Sequence, residues 1–165
     1  MSLGHLAKRF FGSLRPGGPP AGEVAWVRAQ LLPGEWGLWS AMPGPDRRHS
    51  VAVARRVGDA LGDRATKPVL AAALLHDVGK SASRLRTPSR VVATVTAGVV
   101  GRERASGWDS AIGRYLRHDE HGAALLAQAG SDPLTVAWTR EHHLPRERWT
   151  VPDAIADALK QADDD

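Results

Sequence analysis

Apolar positions along the chain recur at helical spacing, and the breaks between them fall at proline, glycine or a capping residue. Residues 23–32 read as a helix ended by Pro33-Gly34, and residues 35–42 as a short one carrying Trp36 and Trp39, ended by Pro43-Gly44-Pro45. A longer helix follows over 46–61, with Asp46 placed to cap it. Thr66 caps the next, which runs through His76 until Gly79 terminates it. Residues 88–100 are rich in valine, which favours a strand. Pro88 and the Val92–Val95–Val99 spacing favour a helix, and the helical surroundings decide for it. Residues 108–116, 119–128, 133–142 and 152–162 complete the set, with Gly130 as a stop and Asp132-Pro133 as a start signal. The segment 1–14 is basic and amphipathic, and 15–22 (RPGGPPAG) is a linker by composition. The expected organisation is therefore a segment over 1–22 and one all-α domain over 23–165.

The same periodicity turns several ligand-type side chains inward. His49 shares a helix face with Val53, Val57 and Ala60, and His76 continues the face of Val69, Ala72 and Ala73. His118 leads the stripe Gly122, Leu125 and Leu126. His142 ends the stripe Leu134, Ala137 and Trp138, and Asp163 follows Ile155, Leu159 and Ala162. A single inward histidine is ordinarily a core residue with a hydrogen-bond partner. Four of them, with Asp77 and Asp163, are different, because each polar group buried without a partner costs about 1–3 kcal/mol. One bound cation would pair them together.

Composition narrows the cation. The chain has no cysteine, so thiolate zinc sites, iron–sulfur clusters and disulfides are excluded. That usage fits a reducing, cytoplasmic setting. Neutral imidazoles and carboxylates suit divalent Zn, Fe, Mn, Co or Ni. Six such groups exceed a tetrahedral site and fit either one six-coordinate ion or two ions bridged by Asp77. The net charge of +4 is carried largely by arginine and suits an anionic partner such as a nucleotide. The arginines are spread along the chain and match no DNA- or RNA-reading motif, so no nucleic acid is expected. No stretch approaches the roughly 20 apolar residues of a membrane span.

The stretch Leu74-Leu75-His76-Asp77-Val78-Gly79-Lys80, preceded by His49 and followed by His118, His142 and Asp163, resembles the HD superfamily of metal-dependent phosphohydrolases. The likeness spans residues 46–165 and implies an HD-like helical bundle around a metal held by His49, His76, Asp77, His118, His142 and Asp163. The run His118-Asp119-Glu120-His121-Gly122-Ala123 is similar to the two-metal branch that cleaves dinucleoside polyphosphates, in which the first histidine is the ligand. His121 and His143 remain alternates to His118 and His142. Leu144-Pro145-Arg146 stands where the cyclic-dinucleotide branch carries Gly-Tyr-Pro, so that specificity is not carried over.

The implied activity is hydrolysis of a phosphate ester or anhydride in a nucleotide or other small phosphorylated metabolite. Asp77 is the candidate catalytic carboxylate. Lys80 would neutralise a phosphate oxygen, or else simply complement the dipole of a helix C-terminus. Arg47, Arg48 and Arg84 are secondary phosphate contacts, and Trp149 is the best placed of six tryptophans for a nucleobase. The alternative function is a metal-binding HD domain that regulates or scaffolds without turnover. Oligomeric state is not legible.

Overall fold

The computed structural model describes residues 17–83 and 118–165, and every regular element among them is helical. The basic segment 1–14 and the helices expected over 88–100 and 108–116 lie outside the described residues. We number the described helices α1 (Ala21–Gln30), α2 (Pro33–Ser40), α3 (Gly44–Leu61), α4 (Lys67–Leu75), α5 (His118–Gln128), α6 (Pro133–Glu141) and α7 (Asp153–Asp164). Short 3-10 segments occupy Gly62–Arg64, Val78–Ser83 and Arg146–Arg148.

Several boundaries differ from the sequence reading, and proline explains them. The first helix stops at Gln30, because Leu32 precedes a proline and is held extended at φ −64°, ψ 158°. Pro33-Gly34 then open α2 and do not merely end α1. Glu35 reaches back so that its Oε2 accepts the Leu32 N–H at 2.8 Å. Likewise α3 starts at Gly44, so Asp46 is not its cap but sits in its first turn, where its charge suits the dipole. Thr66 occupies the cap position of α4 without a side-chain cap bond. Asp132 does cap α6, accepting the Leu134 N–H at 2.8 Å. Gly130, at φ +77°, ends α5 with bonds from Gly130 N–H to the Ala127 carbonyl and from Ser131 N–H to the Leu126 carbonyl.

α4 is apolar all round, with Val69 to Leu75 buried, as a helix at the centre of a bundle must be. It packs against α3 and α6 and also touches α1, α2 and α7. Trp39, Val53, Val57, Leu74, Leu126, Trp138 and Leu159 fill the space around it. On α3 the buried stripe continues to Leu61, while Ala60, expected on it, is exposed.

The α4 helix ends earlier than expected, at Leu75, and Gly79 does not end it. Gly79 has a different task. A Cβ there would lie 1.9 Å from the His118 carbonyl oxygen and 2.7 Å from the Gly122 nitrogen. Gly122 faces it, with a Cβ position 3.1 Å from the Gly79 nitrogen. Two missing side chains thus let the turn after Asp77 press directly onto the start of α5. Gly79→Ala is therefore expected to cost about 3 kcal/mol of unfolding free energy, since backbone must move to admit the methyl. Denaturant unfolding tests this, and a loss below about 1 kcal/mol would contradict the close-approach role.

Candidate metal centre

The ends of the helices supply the site. His76 is the C-cap of α4 and Asp77 follows it. His118 begins α5, His142 is the C-cap of α6, and Asp163 lies in the last turn of α7. His49 stands in the first half of α3. Three of these positions are C-terminal helix ends, where the partial negative charge of the backbone favours a cation.

The two C-cap histidines are oriented by one device. The Nδ1–H of His76 donates to the Ala73 carbonyl at 2.9 Å, and that of His142 donates to the Thr139 carbonyl at 2.9 Å. A carbonyl can only accept, so Nδ1 carries the proton and the Nε2 lone pair faces inward. Each bond also satisfies a carbonyl left unpaired by its helix end. In both cases the accepting carbonyl belongs to the residue three positions before the histidine.

Asp77 is the shared member. Its Oδ2 lies 3.5 Å from His76 Nε2, and its Oδ1 lies 3.4 Å from His118 Nε2 and 3.7 Å from His142 Nε2. Asp163 Oδ1 lies 3.0 Å from His49 Nε2 and 3.5 Å from His76 Nε2. His143 Nε2 approaches His118 Nε2 at 3.3 Å. The ligand atoms of His49, His76 and Asp77 lie within 4.8 Å of one another, as do those of Asp77, His118, His142 and His143.

Three buried atoms, His76 Nε2, Asp77 Oδ1 and His142 Nε2, have no hydrogen-bond partner. Each such atom costs about 1–3 kcal/mol. Donors bound to one ion at about 2.1 Å stand about 3 Å apart, close to the separations found here. The donor set, all imidazole and carboxylate, fits a divalent transition metal.

Electrostatics agree with a cation site. Burial opposes charge on Asp77, but the Lys80 ammonium and the imidazoles of His76, His118 and His142 outweigh it and hold the carboxyl well below its usual range. Asp163 is held low in the same way by His76 and His49 against burial. Burial lowers the pKa of His118 and of His142. Burial would lower that of His76 too, but the adjacent carboxylates of Asp77 and Asp163 prevail and raise it.

The remaining candidates separate clearly. His121 is exposed on α5, away from the buried cluster. His143 joins the cluster from its exposed edge, just beyond the end of α6 at Glu141, with its Nε2 3.3 Å from His118 Nε2. Lys80 rests its ammonium on Asp77 Oδ2. Arg48 donates to the Gly17 carbonyl, and the Arg47 guanidinium lies over the Trp39 ring at 5.4 Å. Arg84 lies outside the described residues. Trp149 is committed within its own loop, with Nε1 3.1 Å from the Glu141 and Leu144 carbonyls and its ring against Trp138. The structure thus corrects its candidacy as a nucleobase platform.

With this geometry in view, the comparisons with known proteins become informative. The HD-domain family model matches residues 47–164, well over half of the chain. The chain belongs to the HD-domain family. Members of that family are typically metal-dependent phosphohydrolases, and the buried histidine–aspartate cluster of this chain suits a divalent metal. No curated protein and no solved structure matches the chain. Among the described residues of the HD domain, no helix is long and apolar enough to cross a membrane.

The His76 shift has a consequence for metal uptake. A raised folded-state pKa gives stability that is present below the ordinary histidine value and lost as pH rises through the raised one. For His118 and His142 the sign is opposite: their contribution is present above the ordinary value and lost as pH falls through the depressed one. A metal needs all three imidazoles neutral, so loading displaces the His76 proton. Calorimetric Mn2+ titrations near neutral pH in buffers of different ionisation enthalpy are expected to show net proton release on binding. Affinity is expected to rise from pH 6 to 8, and proton-neutral, pH-independent binding would contradict the assignment.

Proposed function

We propose that this HD domain is a metal-dependent phosphohydrolase that cleaves a phosphate ester or anhydride in a nucleotide or other small phosphorylated metabolite. The observation that carries the proposal is the position of Asp77. Its Oδ2 faces His76, while its Oδ1 faces His118 and His142 and has no hydrogen-bond partner. A carboxylate with each oxygen turned to a different histidine set is suited to bridge two ions.

In this reading His49, His76 and Asp163 would hold one ion, His118 and His142 would hold the other, and Asp77 would serve both. His143 completes the second set from the exposed edge. When bound, such ions supply Lewis-acid activation of water and of the phosphate. The chain itself does the positioning. The Ala73 and Thr139 carbonyls fix the imidazole tautomers, and the press of Gly79 on the start of α5 fixes the distance from Asp77 to His118. Asp77, held in its charged form, would orient the ions and with them the reacting water. Lys80, already beside Asp77, supplies a point charge for a non-bridging phosphate oxygen. Arg48, on the first half of α3 next to His49, is the second basic group for an extended polyphosphate. We place the activity in the cytoplasm, where such substrates are abundant.

The test is phosphate release from a panel of nucleoside triphosphates, dinucleoside polyphosphates and cyclic dinucleotides, with Mn, Fe, Co or Ni supplied. Replacing His76 and Asp77 together by alanine is expected to lower the rate by about 10³-fold, the scale of losing several kcal/mol of metal-derived stabilisation. Undiminished activity and metal content in that variant would sink the mechanism. A wild-type protein that binds metal but turns over nothing on the panel would favour a regulatory domain.

A further inference from the structure

Glu141 is a buried carboxylate that the proposed chemistry does not use. It is the last residue of α6, directly before His142 and His143. Its Oε2 accepts the Thr150 N–H at 2.6 Å, and its Oε1 accepts the Thr150 hydroxyl at 2.7 Å. Its own carbonyl accepts the Leu144 N–H at 2.7 Å and, with the Leu144 carbonyl, the Trp149 indole N–H at 3.1 Å. Both ends of the 142–150 loop are thereby tied to one residue. Trp149 also packs edge-on against Trp138 at 5.4 Å, and the Trp138 ring lies 6.3 Å from that of His142.

This clasp answers a geometric difficulty. Adjacent residues on an α-helix point about 100° apart, so His143 would turn away from any site that His142 enters. Here the two rings lie 3.9 Å apart, and His143 reaches His118. The regular helix stops at Glu141, His142 keeps a right-handed backbone at φ −58°, ψ −17°, and the chain then turns so that the Leu144 N–H meets the Glu141 carbonyl. The carboxylate is buried, accepts two charge-assisted bonds and lies at the point of reversal, so it is well placed to enforce the stop.

We propose that Glu141 is a positioning residue that, by clasping Thr150, holds His143 beside His118 and so sets the metal affinity of that half of the site. It acts through His143 and touches neither metal nor substrate. The inference rests on the metal reading of the cluster, and it is tested by a double-mutant cycle on metal binding in the full chain. Mn2+ affinity is measured by electron paramagnetic resonance for wild type, Glu141→Ala, His143→Ala and the double variant, with circular dichroism and thermal melts confirming folding.

Glu141→Ala is expected to weaken Mn2+ binding about tenfold or more, in the range of losing an outer-shell partner. In the His143→Ala background the same change is expected to cost less than about twofold, since the residue it acts through is gone. Glu141→Gln, whose amide oxygen still accepts the Thr150 N–H, is expected to restore affinity to within about threefold of wild type. Should Glu141→Ala fail to fold, Thr150→Val replaces it in the cycle, because Thr150 is exposed and only the hydroxyl bond is lost. An equal loss in both backgrounds, or no loss in either, overturns the proposal. Mn2+ binding that survives loss of His76 and Asp77 instead overturns the metal-site reading itself, so the two failures are distinguishable.

Discussion

A carboxylate buried among imidazoles imposes the arrangement of everything around it. Asp77 is 7% exposed, and its charge is matched locally by Lys80 on one oxygen and by the faces of three histidines. Burying such a charge without compensation costs several kcal/mol. The chain meets the requirement with helix ends, whose backbone dipoles and unpaired carbonyls favour positive charge and orient imidazoles. It also meets it with a backbone contact, Gly79 against Gly122, that brings α5 close enough for His118 to join. Remove the demand of that carboxylate, and the convergence of five chain segments on one point has no physical reason.

The compensation is nevertheless incomplete in the protein alone. His76 Nε2, His142 Nε2 and Asp77 Oδ1 keep unused hydrogen-bonding capacity in a buried space. The carboxylates of Asp77 and Asp163 raise the pKa of His76 against the effect of burial, so the field at this point favours a cation. A divalent ion satisfies the same atoms at once. The features that stabilise the metal-free fold and those that would bind metal are thus the same residues in competition for charge.

Much of this was legible in the sequence, because period and chemistry coincide there. His49, His76, His118, His142 and Asp163 each continue an apolar helical stripe, so their inward direction followed from spacing. The ends of those stripes were legible where a local rule applies, as at Gly130 and Asp132. What escaped depends on contacts between distant segments. The close approach at Gly79, with the same residue type as a helix stop, can be seen only once α5 lies against it. Glu141 reads as a surface helix residue until Thr150 folds back onto it. His143 reaches the cluster from its exposed edge only because its ring approaches His118 across the helix end, a contact between distant segments. Trp149 shows the converse, since an aromatic in an arginine-rich loop suggests a ligand platform, yet both its indole N–H and its ring are engaged within the fold.

The central claim is that Asp77 is the meeting point of a metal centre. The most direct measurement is anomalous diffraction at the metal absorption edge, on crystals of protein purified without chelator and supplied with Mn2+. The expected result is a peak within about 2.3 Å of the Asp77 carboxylate, with a second about 3.5–4 Å from it on the side of His118 and His142. No peak within about 3 Å of Asp77 at saturating Mn2+ would contradict the account.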